Sequence, residues 1–544
     1  MEIKNRKIDA IYPLIIAIAL VGGIWIGVLL KGRSAVYGTQ SRGLLLYKNN
    51  NKITQTLDLA LSSYMDSLSS EKLQEDAITG LLKNLDPHSQ YIPASQLTAV
   101  NEPIEGNFSG IGIQFNMMND TVAVVNVIPK GPSDRAGIIA GDRIMTVNGE
   151  PVTGMNKSSS DITKLLRGST GTKVKMGVFR RGEPQLVDFE IVREKIPLYS
   201  IDAAYMATPH VGYIKINSFS KTTFDEFTRA VATLQDHGMK QLVIDLRDNS
   251  GGLIEPAINI AESFLPKGTL LVYTEGRKRP RTDYLSRMEN GAWLDTGLAL
   301  LVNEGSASAS EILAGAIQDN DRGIIIGRRS FGKGLVQEQH TLMDGSALRI
   351  TVSRYYTPTG RSIQKPYDNK ERYFDDLNER YRHGEMAQAD STKFNDSLKY
   401  VTPKGKTVYG GGGIMPDIFI PIDTSFYSDY YDEIMRRGLL YHFTFDYTDR
   451  RRKELSALDT PEKLEERLRR DGIMERFIRY AATQNVVATR KDLKVSGDVL
   501  ENMVIAQIVR NMFDNSSLYP VINRKDAIVQ KAIEVLTVTG MVNF

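Results

Sequence analysis

The chain has 544 residues, enough for several domains, and 41% of them are hydrophobic, so it can bury substantial cores. Its net charge of +3 is small for this length and gives no sign of a nucleic-acid-binding surface. Cysteine is absent, which excludes disulfides, a thiol nucleophile and a thiolate metal site.

An unbroken apolar segment occupies residues 11–30. At 1.5 Å per residue it would span about 30 Å as a helix, the thickness of the bilayer hydrocarbon. Lys4, Arg6 and Lys7 precede it, so we expect the amino terminus in the cytoplasm and the rest exported. Residues 1–35 therefore predict a single-pass anchor in the inner (cytoplasmic) membrane, favoured over a removed signal peptide, with the rest of the chain in the periplasm or otherwise outside the cytoplasm.

Residues 36–105 contain two stretches with helical spacing of apolar residues, the second ending near Leu85. The motif Leu85-Asp86-Pro87-His88-Ser89 follows, and Pro87 disfavours helical backbone at Asp86. His88 has no second ligand at metal-binding spacing, so a structural role is favoured over a metal site.

Residues 106–195 predict a small β-rich module that resembles a PDZ domain. It combines an alternating glycine and apolar loop, a strand at 122–128, an Asn-Gly turn signal at 148–149 and a helix at 161–166. The resemblance implies a loop whose N–H groups bind a peptide carboxylate, beside a strand edge that accepts an extended chain. The implied binding residues are Ser109, Gly110, Ile111, Gly112, Ile113, Ile162 and Leu166. The alternative is a β module whose glycines only form bulges.

From residue 211 strands and helices alternate: a strand at 211–216, a helix at 223–237 and a strand at 241–246. This pattern predicts a largely parallel sheet covered by helices. A turn with Gly251 and Gly252 then opens a helix at 254–264, and the two glycines permit close backbone approach. The turn lacks the glycine spacing and the lysine of nucleotide-binding loops.

The stretch Gly305-Ser306-Ala307-Ser308-Ala309-Ser310-Glu311 joins an apolar strand to a helix. Such a turn holds a hydroxyl at a helix N-terminus, where free N–H groups and the positive end of the dipole favour a developing anion. The alternative is a capping box, in which Ser308 bonds the backbone and Glu311 reaches back. Lys333, between two glycines, is likewise either functional or an exposed loop lysine.

Residues 366–400 are polar and predict a surface insertion, and charged helices follow from about residue 425. An aromatic-rich stretch at the start of this region must be buried somewhere, so residues 425–544 predict a helical domain that can support a homo-oligomer. The stretch comprises Tyr427, Tyr430, Tyr431, Tyr441, Phe443 and Phe445.

These motifs, followed by Phe331-Gly332-Lys333-Gly334 and Tyr356-Thr357-Pro358-Thr359-Gly360-Arg361, lie in one order. Over roughly residues 50–422 the chain resembles the carboxyl-terminal processing peptidases, or tail-specific proteases. The resemblance implies an α/β multidomain fold, with a crotonase/ClpP-like protease core at 196–424 and an inserted PDZ domain. It also implies a serine endopeptidase that needs neither a metal nor an organic cofactor.

The resemblance assigns the site residue by residue. Ser308 matches the nucleophile, Lys333 the general base, and Gln337 a residue that orients the amine. Asp319 matches an acidic residue whose role is either catalytic or local and structural. The oxyanion hole would use the N–H of Ala309 and that of either Gly251 or Gly252, between which the sequence does not choose.

A Ser–Lys pair is chemically coherent, because burial can lower the lysine pKa by up to about 3–5 units from about 10.4. The neutral amine could then take the serine proton. Arg167 is a candidate for coupling the PDZ module to the site, or else a solvated arginine at a turn. We expect a membrane-anchored endopeptidase that cleaves protein chains near their C-termini in the cell envelope. The alternatives are a silent PDZ-type peptide-binding scaffold and a hydrolase of small acyl substrates.

Overall fold

The structure is a computed structural model that describes residues 51–118, 120–289, 291–388 and 396–538. The chain divides into two compact units, residues 1–84 and residues 85–544. The apolar segment at 11–30, with its predicted membrane span, lies outside the described residues. Within the described ranges, no helix combines the length and the apolar character needed to cross a bilayer.

The first unit contains two helices, α1 (Lys52–Ser63) and α2 (Ser70–Leu82). Each begins at a side-chain cap: the Asn51 carboxamide accepts the N–H of Ile53, and the Ser69 hydroxyl accepts that of Lys72. The predicted pair of helices is therefore observed. The second one ends at Leu82 rather than near Leu85, because the chain leaves the helix ahead of Pro87.

The second unit begins with β1 (Gln90–Ile92) and α3 (Ala94–Glu105), which lead into the β-rich module. The module contains β2 (Asn107–Gly110), β3 (Ile113–Met118), β4 (Thr121–Val127), α4 (Pro132–Ala136), β5 (Arg143–Val147), β6 (Glu150–Pro151), α5 (Ser159–Leu166), β7 (Lys173–Phe179), β8 (Val187–Val192) and β9 (Glu194–Pro197). Its antiparallel sheet has the order β3-β4-β5-β7-β8, with β6 beside β5. A separate ribbon, β2 with β9, carries the chain in and out of the module.

The α/β core follows. Its elements are β10 (Ile201–Met206), β11 (Val211–Ile216), α6 (Thr223–Asp236), β12 (Gln241–Asp245), α7 (Ile254–Glu262), β13 (Leu270–Gly276), β14 (Arg279–Leu285), β15 (Gly297–Val302), α8 (Ala309–Asp319), β16 (Ile324–Gly327), β17 (Leu335–Thr341), β18 (Ala347–Tyr356), α9 (Lys370–Arg382), β19 (Lys399–Val401), β20 (Thr407–Tyr409) and β21 (Ile418–Phe419). A main sheet has the order β10-β11-β12-β15-β16-β21, parallel from β11 onward. A second sheet contains β1, β18, β13 and β14, with β17 paired to β18.

Helices cover the main sheet, as the alternating pattern predicts. Apolar residues of α6, α7 and α8 pack together with those of β11, β12 and β15 in one buried cluster. Every residue of β11 is buried, which is typical of a strand covered on both faces. The insertion at 366–400 is less superficial than predicted, because α9 buries Tyr373 and Arg380.

The sheet topology places three loops side by side. Because β12, β15 and β16 are parallel neighbours, their carboxyl ends meet at one edge of the sheet. The loops that leave there are residues 246–253, residues 303–308 and residues 328–334. They carry the two glycines, two of the three serines and the lysine singled out in the sequence, and the third serine, Ser310, lies in the first turn of α8.

The C-terminal region is helical, as predicted. It contains α10 (Asp429–Arg436), α11 (Leu439–Leu455), α12 (Pro461–Arg470), α13 (Ile473–Thr483), α14 (Arg490–Met512), α15 (Leu518–Asn523) and α16 (Ala527–Val538). Most of these helices share one apolar core, and α16 packs on the main sheet. Tyr430 and Phe443 are buried in the helical core, and Phe445 packs on the PDZ-like module. Tyr427 remains 57% exposed, and the homo-oligomer stays a prediction.

Candidate active site

Ser308 occupies a strained turn at the start of α8. Its backbone has φ 56° and ψ −113°, in a region that residues with a side chain rarely adopt. Ser306 and Ser310 are fully buried, and their hydroxyls donate to the carbonyl oxygens of Leu246 and Asn249, each at 2.8 Å. Ser308 is only partly buried. Of the three alternating serines, Ser308 is therefore the accessible one, and the hydroxyls of Ser306 and Ser310 stabilise the turn.

Gly251 lies directly against this turn. A Cβ atom added to it would stand 2.7 Å from the Ser308 Cβ and 3.0 Å from the Ala309 nitrogen, and its φ is +100°. Only glycine fits such a position without a shift of the neighbouring backbone. The close approach brings the loop after β12 to the N-terminus of α8.

The carboxylate of Glu311 joins the serine turn to the lysine loop. One of its oxygens accepts the backbone N–H of Ser308 at 2.9 Å and that of Lys333 at 2.9 Å. The other accepts the N–H of Gly332 at 2.7 Å and the hydroxyl of Ser330. Glu311 is fully buried. Burial raises the pKa of its carboxyl group, whereas the four hydrogen bonds lower it, and the effect of burial is the larger. The predicted reach of Glu311 back to Ser308 is observed, but the same carboxylate also binds a loop 22 residues away.

Tyr355, on β18, makes a second connection. Its buried hydroxyl donates toward the carbonyl oxygen of Lys333 at 2.6 Å, with that of Ser308 at 3.2 Å. Burial raises the pKa of this phenol well above its usual value, so it stays a donor. Glu311 and Tyr355 therefore hold the backbones of Ser308 and Lys333 together from both their N–H and their C=O sides.

The Lys333 amine lies in a partly buried setting. Burial lowers its pKa, and the positive charge of Arg349 lowers it further, while Glu311 and Asp86 oppose the shift. The side chain forms no ion pair with the residues that the structure describes. Gly334, the next residue, donates its N–H to the Gln364 side chain at 2.8 Å. Lys333 is therefore partly buried, and the alternative interpretation of it as an exposed loop lysine does not hold.

Gln337 and the motif at 85–89 belong to one network. The Gln337 amide donates to the Thr351 hydroxyl at 3.3 Å, and the Thr351 N–H donates to the Ser89 hydroxyl at 3.1 Å. Ser89 in turn donates to the Asp86 carboxylate at 2.5 Å. The Gln337 side chain thus bonds Thr351, and its predicted role at the amine stays a prediction.

His88 lies near the same lysine. Its Nε2 is 2.7 Å from the Tyr373 hydroxyl. Burial, followed by the positive charge of Lys333, lowers the His88 pKa to about 4, so this imidazole is neutral at pH 7. The sequence signals only a structural residue here, and nothing in it indicates that the residue lies beside the lysine.

One backbone N–H on each of two loops, the serine turn and the loop after β12, has no acceptor among the described residues. Within the described part of the chain, neither Ala309 nor Gly252 donates its N–H to a protein acceptor. Gly251, by contrast, donates its N–H to the Asn249 carboxamide at 2.9 Å. Between the two glycines that the sequence leaves open, the free donor is Gly252.

Asp319 lies at the far end of α8, eleven residues and about 16 Å along the helix from Ser308. Its carboxylate binds the Arg361 guanidinium at 2.6 Å, and both side chains are completely buried. It also accepts the Thr359 hydroxyl at 2.6 Å. These contacts occupy the carboxylate and favour the structural alternative for Asp319 over the catalytic one.

The PDZ-like module presents a shorter loop than predicted. Ser109 and Gly110 pair with β9 in the ribbon, which leaves Ile111 and Gly112 as the loop before β3. In the described residues neither of these two donates its N–H to a protein acceptor. Among the strands that the structure describes, β3 pairs only with β4 and forms an edge of the module's sheet, so it can accept an extended chain.

Ile162 and Leu166 are a correction to the predicted peptide-binding set. They are 0% and 4% exposed and pack in the core of the module. A side chain without accessible surface cannot touch a peptide unless the module moves. Their regular spacing on α5 reflects core packing.

Arg167 joins the module to α3, the helix that precedes it. Its guanidinium pairs with Glu102 on α3 and lies 4.6 Å from the centre of the Phe108 ring. These contacts mean that Arg167 is not a freely solvated arginine, and its role in coupling the module to the site stays a prediction.

Three family models match the chain: peptidase family S41 at residues 210–368, the PDZ domain at 109–191, and a family of unknown function, DUF8443, at 430–514. A "Carboxy-terminal-processing protease" of Bartonella bacilliformis is 35% identical over 58% of this chain and 73% of its own. A "Probable CtpA-like serine protease" of Staphylococcus aureus is 37% identical over 58% of this chain and 62% of its own. A solved "photosystem II D1 C-terminal processing protease" is 28% identical, covers 69% of this chain and 88% of its own, and has a TM-score of 0.36. The chain is thus a serine-type peptidase with a PDZ domain, and it belongs to the carboxy-terminal-processing proteases of family S41.

Proposed function

We propose that this peptidase uses Ser308 as nucleophile and Lys333 as general base, and that it cleaves chains held by their carboxyl ends outside the cytoplasm. One observation carries the proposal. A single buried carboxylate, that of Glu311, binds the backbone of both residues, although 25 positions separate them in the chain. The second bridge, through Tyr355, supports the same pairing.

The chemistry needs a lysine that is neutral when it acts. Burial and Arg349 both shift the Lys333 pKa downward, which is the required direction. The amine takes the Ser308 proton as the hydroxyl oxygen attacks the peptide carbonyl, and the resulting ammonium returns that proton to the leaving amine. Water then hydrolyses the acyl-enzyme, with Lys333 again as base.

The free N–H groups of Ala309 and Gly252 suit the oxyanion that forms in both steps. The Ala309 N–H stands at the N-terminus of α8, where the helix dipole also favours negative charge, and Gly252 lies on the loop after β12, next to Gly251. The Gly251 N–H is less suited, because Asn249 already accepts it.

Recognition of the carboxyl end fits the PDZ domain. The unoccupied N–H groups of Ile111 and Gly112 suit a carboxylate, and the free edge of β3 suits the preceding residues of the same chain. Residues 11–30 suit a single membrane span, which would place the domains in the cell envelope. Protease digestion of intact spheroplasts tests that location: degradation of the folded domains only after lysis would contradict it.

Peptide cleavage tests the dyad. Unstructured peptides with free and amidated C-termini are incubated with the wild type and with Ser308→Ala and Lys333→Ala. We expect cleavage by the wild type, faster for the free carboxylate, and none by either variant, with thermal unfolding unchanged. Wild-type activity in either variant would refute the dyad, and binding without cleavage by the wild type would favour a scaffold.

Ser306→Ala is the matched control within the same motif. Its hydroxyl accepts the Asn303 N–H and donates to Leu246, so the variant should lose stability and keep its chemistry. A loss of cleavage in Ser306→Ala equal to that in Ser308→Ala would mean that the serine turn as a whole, and not one hydroxyl, supports activity.

A further inference from the structure

The free edge of β3 leads from the carboxylate-binding loop to a cavity. A peptide whose carboxylate lies at Ile111 and Gly112, where β3 is about to begin, must run antiparallel to β3 and toward Met118. At about 3.4 Å per residue, Met118 stands opposite the residue about five positions before the carboxyl end. A longer substrate continues past Met118.

The cavity at that end of β3 has a volume of about 540 Å³ and lies between the PDZ domain and the C-terminal helices. One wall is the outer face of the PDZ sheet. The opposite wall comes from α11, the end of α10 and α13. The lining includes Met118, Arg143, Arg437, Phe445, Asp446 and Arg450.

The two walls are held together. Asp449 on α11 pairs with Arg143 at 3.1 Å and with Arg181 at 3.6 Å. Phe445 packs against Ala123 and Val125, and Met118 lies against this cluster. The end of the peptide-binding edge is therefore in contact with the C-terminal helices, and the cavity keeps a defined shape.

Arginine is the main charged residue of the lining. Three arginines face one lining carboxylate, Asp446, and Arg143 pairs with Asp449 outside the lining. Arg450 pairs with Asp446 at 2.8 Å and Arg437 with Glu433 at 3.6 Å, yet their side chains remain 63% and 36% exposed. Each guanidinium has five donors, so each can bind a further carboxylate while keeping its present partner.

We propose that this cavity is a second substrate subsite, which binds the segment just upstream of the residues held along β3 and selects acidic side chains there. The proposal rests on recognition of the carboxyl end by the PDZ domain and extends it. It gives the C-terminal helices, which match a family of unknown function, a part in the choice of substrate.

Fluorescence polarisation with the full chain carrying Ser308→Ala, which should bind without cutting, tests the subsite. The probes are a peptide of about five residues and peptides of about 12 residues with the same carboxyl end. The longer peptides carry Glu, Gln or Lys at the upstream positions. We expect the Glu peptide to bind about tenfold tighter than the Gln peptide, the effect that two partly exposed charge pairs give, and the Lys peptide to bind weakest.

The double substitution Arg437→Ala and Arg450→Ala should remove this preference and leave the short peptide's affinity unchanged. Arg436→Ala with Arg451→Ala is the matched control, because it removes the same charge from neighbouring positions that do not line the cavity. Equal binding of Glu and Gln peptides, or a preference that survives the first double substitution, would overturn the subsite alone. If the short peptide does not bind at all, recognition by the PDZ domain fails and the subsite fails with it, whereas cleavage by the wild type still tests the dyad.

Discussion

Replacement of Glu311 by glutamine should disconnect the nucleophile from the base while keeping the shape of the side chain. In the wild type one carboxylate oxygen accepts the N–H groups of Ser308 and Lys333, and the other accepts the N–H of Gly332 and the Ser330 hydroxyl. An amide keeps only one oxygen. In either orientation the NH₂ group of the glutamine faces two groups that donated to the carboxylate, so those two hydrogen bonds are lost.

The magnitude follows from that count. Two hydrogen bonds to a charged acceptor are lost, at roughly 1.5–3 kcal/mol each, for a gross loss of about 3–6 kcal/mol. Part of this loss in stability is offset, because the substitution also removes a buried charge. The raised pKa of Glu311 shows that burying this charge is unfavourable. We expect the free energy of unfolding to fall by about 2–4 kcal/mol. Because a 1 Å displacement of a catalytic group can cost about 100-fold, kcat/KM should fall at least 100-fold.

The assay compares kcat/KM on a peptide with a free C-terminus, measured well below the unfolding temperature, with the thermal unfolding of each variant. Glu226→Gln is the control. Glu226 is also buried and also accepts two backbone N–H groups, of Ser200 and Ile201, and two hydroxyls, but its bonds join β10 to α6. Three of these bonds lie on one oxygen, which an amide keeps, so Glu226→Gln should lose less stability than Glu311→Gln, with kcat/KM unchanged. Wild-type kcat/KM in Glu311→Gln, or an equal loss in Glu226→Gln, would refute the reasoning.

Three further predictions concern titration and burial. Arg349→Met removes a positive charge that lowers the Lys333 pKa, so that pKa should rise and the acid limb of the kcat/KM profile should move to higher pH. His88 has a folded pKa of about 4 against 6.5 unfolded, so the unfolded chain binds more protons in that window. The free energy of unfolding should therefore fall by at most about 3 kcal/mol as the pH drops from 6.5 to 4, and His88→Gln should lack this fall. Asp319→Asn leaves the buried Arg361 charge without a counter-charge and should cost about 3–5 kcal/mol of stability with kcat/KM retained.

Each of these has its own check. Arg354→Met, on the same strand as Arg349, should leave the pH profile unchanged, and a shift equal to that of Arg349→Met would point to general charge rather than a local effect. Chemical denaturation at several pH values measures the His88 contribution, and identical curves for His88→Gln and the wild type would contradict it. Adding Arg361→Met to Asp319→Asn should restore much of the lost stability; a loss of kcat/KM that persists would return Asp319 to the catalytic set.

Local patterns in the sequence indicate most elements of the core. The strand at 211–216 and the helix at 223–237 are observed within one residue of their predicted bounds. Both follow from a continuous apolar run and from a strong helical period. Among the charged helices after residue 425, α14 begins at Arg490 with polar first turns, so a Thr489 cap, and not apolar periodicity, marks its start.

The contacts that assemble the site could not be predicted in the same way. Glu311 fits a capping box, and nothing near it in the chain indicates that the same carboxylate binds the Lys333 loop. The pairing arises only when parallel strands bring their carboxyl ends to one edge. The proximity of His88 to Lys333 could not be predicted for the same reason. His88 precedes Lys333 by 245 positions, yet it lies close enough for the lysine charge to lower the His88 pKa.

The ribbon of β2 and β9 has an architectural consequence. Asn107 lies opposite Pro197 and Gly110 opposite Glu194, so the chain leaves the catalytic body and returns to it at a single point. The intervening stretch behaves as a cassette: replacing residues 111–193 with a tight turn would convert the ribbon into an ordinary hairpin without rerouting the body. A different peptide-binding domain could be inserted at the same ribbon, and the specificity of that domain would then determine which substrates the peptidase cleaves.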